Sequence, residues 1–199
     1  MFAKNGYAGT GVEEISRAVG LGRGALYHHI GSKDRLLFDI ITLPVLDAVE
    51  QAERLVAEPL DAEQKLRRLS RLVMRTIAAR LPEWTVFFRD IGALRQPLRA
   101  EALAARDAFE GIWAGVIDQG VAEGVFRQMD PIAIKGMLGM HNYSHVWIRP
   151  RGRLTPEQIA DEFCDVLLAG IRANGSPSGG EPAQTAVQPP STAMTCPVT

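Results

Sequence analysis

The sequence predicts an all-α protein, and three observations carry this prediction. Apolar residues recur at intervals of three and four along most of the chain, as in Val12, Ile15 and Val19, which places them on one face of a helix. No segment sustains the alternation of apolar and polar residues that is typical of a strand. Capping residues and glycines divide the chain into segments of helical length.

The first elements form two short helices around a tight turn. Val12, Ile15 and Val19 mark the first helix, and Gly20-Leu21-Gly22 interrupts it. The second helix starts near Arg23 and ends at Gly31, since glycine tolerates the left-handed conformation found at helix ends. Two helices joined by a short glycine-containing turn are the minimum for a helix-turn-helix.

Six longer helices follow. Ser32 is a plausible cap for the first of them, and Pro44 within it is expected to kink or split the helix. The other five begin at Asp61, at Pro82, at Pro97 (ending before Gly124), at Asp130-Pro131 (continuing to Trp147) and at Thr155-Pro156, whose Gln158 completes a capping box. Low-complexity residues dominate from Gly175, so residues 175–199 are expected to be disordered.

The bulk composition excludes several classes of protein. The 199 residues are 46% hydrophobic and 23% charged, as in ordinary globular domains. Because the net charge is −1, nucleic-acid binding would have to come from a local patch. No apolar run approaches the ~20 residues that span a bilayer, and no signal peptide is present, so a cytoplasmic protein is expected. Cys164 and Cys196 have neither metal nor disulfide-scaffold spacing.

The second short helix carries the residue types that read DNA. Its face opposite the apolar positions presents Arg23, Gly24, Tyr27 and His28, and an α-helix fits the major groove of B-DNA. Arg23 could contact a guanine edge or a phosphate, and Gly24 would allow close backbone approach. Lys33 adds a cation at the start of the next helix. The pattern therefore predicts a DNA-binding domain over residues 1–35.

These residues closely resemble the DNA-binding domain of the TetR family of repressors. The similarity extends from Gly6 to Leu37 and is most specific in the stretches 24–30 (GALYHHI) and 32–37 (SKDRLL). The resemblance implies DNA-backbone contacts from Tyr27, His29 and Lys33. It places Thr10, Arg23, Gly24 and His28 at positions that usually face phosphates or bases.

Two positions depart from the family pattern. Gly22 stands where the family often has serine, which removes a side-chain cap at a cost of roughly a few tenths of a kcal/mol. Of the family's first helix only residues 1–5 remain. A late start codon, a truncated chain or a loosened domain would each account for this, and each alters the expected DNA affinity.

Residues 36–174 are expected to form a helical domain for ligand binding and dimerisation. The stretch Trp147–Ile159 loosely resembles TetR-like repressors of steroid-ring and fatty-acid catabolism, which respond to acyl-CoA thioesters. The resemblance also implies a homodimer formed through the last two helices. Large apolar residues and one histidine are candidates to line an effector cavity: Met74, Trp84, Phe87, Phe88, Phe109, Trp113, Met137, Met140 and His141.

The sequence thus predicts a regulator released from palindromic operator DNA by a small apolar or acyl-CoA-like effector, with no catalytic residues, cofactor or metal. His141 and His145 have metal-ligand spacing but no HExxH pattern or nearby carboxylate cluster. Two alternatives remain open at this point. One is a ligand-binding protein whose DNA-binding domain is defunct, and the other is a small helical enzyme acting on acyl thioesters, which would lack a recognisable nucleophile and base.

Overall fold

The structure is a computed structural model that describes residues 1–149 and 151–173, and α-helices dominate this part of the chain. The helices are α1 (Phe2–Asn5), α2 (Val12–Val19), α3 (Arg23–Ile30), α4 (Lys33–Val56), α5 (Ala62–Ala79), α6 (Leu81–Asp90), α7 (Leu98–Ala122), α8 (Ile132–Asn142), α9 (Ser144–Trp147) and α10 (Pro156–Ile171). The all-α prediction is confirmed. The predicted disordered tail, 175–199, lies outside the described residues.

Side-chain caps begin three of the long helices at the predicted residues. Ser32, Asp61 and Thr155 each accept a hydrogen bond from the backbone N–H three residues further on. Gln158 returns the contact by accepting the backbone N–H of Thr155 at 2.9 Å, which completes the capping box. Sequence rules therefore located these helix starts correctly.

Helix α4 runs unbroken from Lys33 to Val56 with Pro44 inside it. Of the two outcomes expected for Pro44, a kink or a split, the split does not occur. Proline has no N–H, so the Ile40 carbonyl loses its usual helical partner. Pro44 is itself buried, and the packing of α4 against α5, α6 and α7 holds the helix together across this weak point.

The segment predicted as one helix from Asp130 to Trp147 is two helices, α8 and α9, which meet at Tyr143. The His145 imidazole Nδ1 lies 2.7 Å from the Asn142 carbonyl, the acceptor that an uninterrupted helix would offer to the N–H of Val146. The N–H of Val146 donates instead to the Tyr143 carbonyl, one residue closer, at 3.1 Å. A side chain thus competes for a backbone acceptor and ends the regular helix.

The hydrophobic core is continuous from the small helices to the large ones. Within the larger part, α5 packs between α4, α7 and α10, and it buries Leu66, Leu69 and Ile77 completely. Helix α1 packs on α6, α3 packs on α4 and α2 packs on α3, with Phe2 and Leu26 buried in this part of the core. Among the described helices, none combines the length and the apolar character needed to cross a bilayer.

Candidate DNA-binding surface and effector cavity

Helix α3 exposes one face to solvent beside the helix-turn-helix core. Leu26 is buried and anchors the helix, while Arg23, Gly24, His28 and His29 are exposed. The Arg23 side chain is 67% exposed, and the Glu13 carboxylate is 3.9 Å away. An ion pair this long and this exposed contributes little, so Arg23 is available to a partner.

The turn before α3 depends on glycine. Gly20 has φ 69°, the left-handed conformation that ends α2, and its N–H donates to the Arg17 carbonyl at 3.3 Å. Gly22 occupies the N-cap of α3 in an extended conformation without a side-chain hydrogen bond. The structure agrees with the sequence analysis on the missing side-chain cap, and the helix forms nonetheless.

Thr10 differs from the other predicted DNA-binding residues because it is fully buried. Its hydroxyl donates to the Gly6 carbonyl at 2.7 Å. This side chain cannot touch DNA in the present arrangement, so the expectation that it faces a phosphate or base is wrong. Thr10 instead fixes the turn that connects α1 to α2.

A small polar cluster orients Lys33 at the start of α4. The Lys33 ammonium lies 4.2 Å from the centroid of the Tyr7 ring, a cation–π contact. The Tyr7 hydroxyl donates to the Asp34 carboxylate. Burial raises the pKa of Tyr7 to about 12, and the hydrogen bond to Asp34 acts in the same direction. Tyr27 is half-buried nearby on α3, so Tyr27 and Lys33 both keep part of their side chains at the surface.

Arg89 and Asp90, at the end of α6, hold helix α1 in place. The Arg89 guanidinium donates to the Phe2 and Ala3 carbonyls, the latter at 3.1 Å. The Asp90 carboxylate accepts from Arg89 at 2.9 Å and from the backbone N–H of Tyr7 at 3.2 Å. Sequence reasoning did not find this contact, since no local pattern links residues more than eighty positions apart.

Helices α4 to α8 enclose a cavity of about 250 Å³. Aromatic side chains form one wall: Trp84 and Phe88 stack at 5.7 Å, and Phe87 meets Phe88 edge to face at 5.2 Å. The cavity is lined by Val45, Ala48, Val73, Thr76, Trp84, Phe87, Phe88, Arg106, Phe109, Glu110, Lys135, Leu138, Gly139 and Asn142. An apolar chamber with a few polar groups is typical of a small-molecule site.

Charged residues accompany the apolar wall. Lys135 pairs with Glu110 at 2.6 Å, and Arg106 pairs with its neighbour Asp107 at 2.7 Å. Lys135, Arg106 and Asp107 are at least half exposed, so the two cations can exchange their partners at little cost, whereas Glu110 is 27% exposed. The sequence analysis missed the lining residues Arg106 and Lys135 because isolated charges on long helices usually face solvent. Arg106 and Lys135 come together only because α7 packs against α8.

The predicted ligand-binding residues divide into two groups. Trp84, Phe87, Phe88 and Phe109 line the cavity. Five others do not: Met74, Trp113, Met137 and His141 are buried in the surrounding core, and Met140 is half-buried outside the cavity. Helical periodicity shows that such residues face inward, but it does not distinguish a packed core from a cavity wall.

His141 belongs to a buried hydrogen-bond network. Its Nδ1 lies 2.7 Å from the Met137 carbonyl, and its Nε2 lies 2.7 Å from the Ser70 hydroxyl. Because a carbonyl can only accept, Nδ1 carries a proton. The Ser70 hydroxyl also lies 3.1 Å from the Ala160 carbonyl, and in the neutral imidazole, the form that burial favours, the hydroxyl's one proton is given to Nε2. Burial lowers the pKa of His141, opposed by the bond to Met137. The imidazole is fully buried, so this serine–histidine pair has no access to a substrate.

His141 and His145 do not form a metal site in the described structure. The Nδ1 atoms of both histidines contact backbone carbonyls, and the His145 ring packs 4.7 Å from that of Phe88. Within residues 1–149 and 151–173, no group of three or more potential ligands lies close enough to hold a metal ion.

Two family models match the chain. The model for bacterial regulatory proteins of the tetR family matches residues 1–40, and the model for the tetracyclin repressor-like C-terminal domain matches residues 59–171. Together they cover the helix-turn-helix and helices α5 to α10.

Relatives and solved structures agree with these matches. The chain is 27% identical over 174 residues to the HTH-type transcriptional repressor KstR2 of Rhodococcus jostii, covering 86% of this chain and 85% of that protein. It is 28% identical over 189 residues to KstR2 of Mycobacterium tuberculosis, covering 88% and 89%.

Two crystal structures are similar along most of the chain. The TetR family regulator PfmR of Thermus thermophilus has a TM-score of 0.79 and 32% identity, covering 84% of this chain and 92% of that one. AibR in complex with isovaleryl coenzyme A and operator DNA has a TM-score of 0.74 and 28% identity, covering 83% and 90%. From the family models and the helix-turn-helix, the chain belongs to the tetR family of bacterial regulatory proteins and is a DNA-binding transcriptional regulator, not an enzyme.

Proposed function

We propose that this protein is a repressor that binds palindromic operator DNA as a homodimer and releases it when an acyl-CoA thioester occupies the cavity. Residues 1–35 are the DNA-binding domain and residues 36–174 the effector and dimerisation domain. One observation carries the proposal: the cavity is walled by α4 and α6, the same helices that contact the DNA-binding helices. A regulator working on operator DNA acts in the cytoplasm.

The exposed face of α3 supplies the DNA contacts in this proposal. Arg23 and His28 read base edges in the major groove. Gly24 lets the backbone of α3 approach the DNA closely, and the packing of the protein itself does not require a glycine there, since a Cβ would meet nothing within 4 Å. Tyr27, His29 and Lys33 contact phosphates and fix the register of the domain on the duplex. The cation–π contact with Tyr7 orients Lys33 before DNA arrives.

The cavity favours an effector with an apolar part and an anionic part. The aromatic wall suits an acyl group, and Arg106 and Lys135 can pair with the phosphates of coenzyme A. AibR, a structural neighbour, was crystallised with isovaleryl coenzyme A. The related KstR2 proteins are transcriptional repressors, which favours repression by this chain.

Dimerisation is proposed to occur through the last helices. Exposed large apolar side chains concentrate on α8, α9 and α10 or at their junction, and water-exposed clusters of this kind mark interaction surfaces. They are Ile132, Tyr143, Val146, Trp147 and Val166. A second copy packed through this face would form a four-helix bundle and present two α3 helices to the two half-sites of a palindrome.

The alternative of a ligand-binding protein without DNA binding makes a different prediction. It needs a loosened helix-turn-helix, whereas Phe2 of α1 is only 5% exposed and Arg89 holds the backbone of this helix. The packing therefore favours a DNA-binding domain that is ready to act. Titration against DNA separates the two hypotheses.

The first experiment measures binding to the palindromic DNA upstream of the protein's own gene at physiological salt, with a scrambled duplex as control. We expect specific binding with two protomers per site. Lys33→Gln should weaken binding to all duplexes and reduce the slope of log affinity against log salt by about 1 for each copy of Lys33, while Arg99→Gln on α7 leaves both unchanged. Absence of specific binding would favour the alternative.

The second experiment measures effector binding by calorimetry, comparing isovaleryl-CoA with coenzyme A alone. The thioester should bind more tightly because its acyl group enters the apolar part of the cavity. Arg106→Gln should weaken both ligands by losing a phosphate contact, with Arg99→Gln again as control. Equal affinity of coenzyme A and its thioester would show that the aromatic wall does not hold the acyl group.

A further inference from the structure

A second concave surface, distinct from the effector cavity, lies on the outside of the molecule between α4 and α5. This groove has a volume of about 430 Å³. It is lined by Gln51, Arg54, Leu55, Glu58, Arg68, Arg71, Leu72 and Arg75. None of these residues lines the effector cavity. We call it the α4–α5 groove.

Arginine dominates the lining of the α4–α5 groove, with four guanidinium groups against one carboxylate, Glu58. Arg68 pairs with Glu58 at 2.5 Å. Two more of the arginines pair with carboxylates that do not line the groove: Arg54 with Glu50, and Arg71 with Asp161. Three of the four arginines therefore have partners.

Arg75 is the exception. It is exposed, and within residues 1–149 and 151–173 no carboxylate lies within ion-pair distance of it. It sits one turn of α5 beyond Arg71, so the two guanidinium groups share a face of that helix. The groove thus keeps an uncompensated positive charge beside a second guanidinium.

The floor of the α4–α5 groove is apolar. Leu72 is buried and Leu55 is half-buried, and the amide of Gln51 lies beside them. The groove continues into an adjoining crevice of about 250 Å³ that shares Gln51, Leu72 and Arg75. A ligand in the α4–α5 groove would contact guanidinium groups at the edge of the groove, and the Gln51 amide and the two leucines at its floor.

We propose that the α4–α5 groove binds a small organic diphosphate, such as a nucleoside diphosphate. A guanidinium group pairs with phosphate oxygens in a bidentate geometry, and Arg75 is placed to make this contact. The neighbouring Arg71 already holds Asp161 through two hydrogen bonds and adds positive charge beside the second phosphate. The leucines and Gln51 suit the ring system attached to the phosphates. The volume accommodates one such molecule.

The position of the groove excludes DNA as its anion. Arg54 lies near the C-terminal end of α4, about 30 Å along the helix from Lys33 at the DNA-binding end. A ligand in the groove would contact both α4 and α5, and would therefore hold the C-terminal half of α4 against α5. The groove itself shares no lining residue with the proposed acyl-CoA cavity, although Thr76 lines both that cavity and the adjoining crevice.

The test is calorimetric titration of the whole protein, without DNA, with ADP, inorganic pyrophosphate and adenosine. We expect saturable binding of ADP, weaker binding of pyrophosphate and none of adenosine. Arg75→Gln should weaken ADP binding about tenfold or more, because a charge-assisted hydrogen-bonding group is lost. Coenzyme A also carries a diphosphate, so ADP can enter the effector cavity as well. In Arg106→Gln, which removes a phosphate contact of that cavity, a saturable ADP site that Arg75→Gln weakens should remain. Arg99→Gln, an exposed arginine elsewhere, should bind ADP as the wild type does.

The outcomes separate the hypotheses. Equal affinity for pyrophosphate and ADP would still support a diphosphate site and assign the ligand to the inorganic anion. Absence of saturable binding, or ADP binding that is unaffected by Arg75→Gln, would overturn the proposal. Loss of ADP binding in Arg106→Gln would place the ligand in the effector cavity and overturn it as well. Arg75 is exposed, so the substitution should leave the thermal unfolding curve of the free protein unchanged.

Discussion

At the residue scale, the buried His141 links protein stability to pH. Its folded-state pKa is lowered by burial, so the imidazole stays neutral while the same residue in the unfolded chain binds a proton near pH 6.5. As pH falls below that value, the unfolded state binds more protons and the free energy of unfolding decreases. Above it, this contribution is constant.

Denaturant unfolding at pH 7.5 and 5.5 measures this effect. The wild type should lose more stability between these values than His141→Gln, in which the titrating group is absent. His28→Gln, which removes an exposed histidine, should behave like the wild type. An identical pH dependence in the wild type and His141→Gln would contradict the assignment of a neutral buried imidazole.

Arg89 provides a second residue-scale prediction. Replacing it with alanine removes its hydrogen bonds to the carbonyls of α1, which should lower the free energy of unfolding by about 1 kcal/mol or more and loosen the DNA-binding helices. Operator affinity should therefore fall although Arg89 is not among the residues proposed to contact DNA. Arg99→Ala is the matched control. Unchanged unfolding and operator affinity would show that α1 is held by its apolar contacts alone.

Individual site residues were predictable to different degrees. Arg23, His28 and His29 follow from a local motif, and the structure exposes all three. Thr10 belongs to the same motif but is buried, because the turn to which it contributes folds inward. Arg106, Lys135 and the Arg89 contact depend on helices that are distant in sequence, and no local pattern encodes them.

At the scale of the helix, Gly120 shows why α7 and the turn after it pack as they do. A Cβ built on Gly120 would lie 2.0 Å from Cδ2 of the buried Phe126 ring. Gly120→Ala should therefore destabilise the protein by about 1–3 kcal/mol through overpacking.

Substitution of Gly115, on the same helix, should change the stability in the opposite direction. A Cβ there would meet nothing within 4 Å, so Gly115→Ala should stabilise the protein by up to about 1 kcal/mol through higher helix propensity. Thermal unfolding of both variants measures the two effects. Stabilisation by both substitutions would show that helix propensity outweighs contact with Phe126, and destabilisation by both would contradict the prediction for Gly115.

The helices themselves were largely predictable, because caps and periodicity act over a few residues. Ser32, Asp61 and Thr155 start helices where the sequence indicates. Two features of the helices were not predicted, because they depend on packing and on a side-chain hydrogen bond. Packing keeps α4 continuous through Pro44, and the His145 side chain separates α8 from α9.

At the scale of the whole molecule, the exposed apolar face of α8 to α10 determines the oligomeric state in our proposal. Val166 on α10 is 67% exposed, and Val166→Glu would place a charge in the dimer interface. Light scattering should show a monomer, and operator affinity should fall because a monomer contacts only one of the two half-sites. Leu43→Glu, on the exposed side of α4, should remain dimeric. A dimeric Val166→Glu would place the interface elsewhere.

Coupling between the cavity and α3 is the central claim, since an effector must bind the DNA-free conformation more tightly in order to release DNA. The most direct measurement is operator affinity by fluorescence anisotropy with and without saturating isovaleryl-CoA. We expect the affinity to fall tenfold or more in the wild type and in Gly115→Phe. It should fall little in Gly139→Phe, which narrows the cavity at a position where a Cβ meets nothing within 4 Å. Unchanged operator affinity in wild type saturated with the thioester would contradict the account.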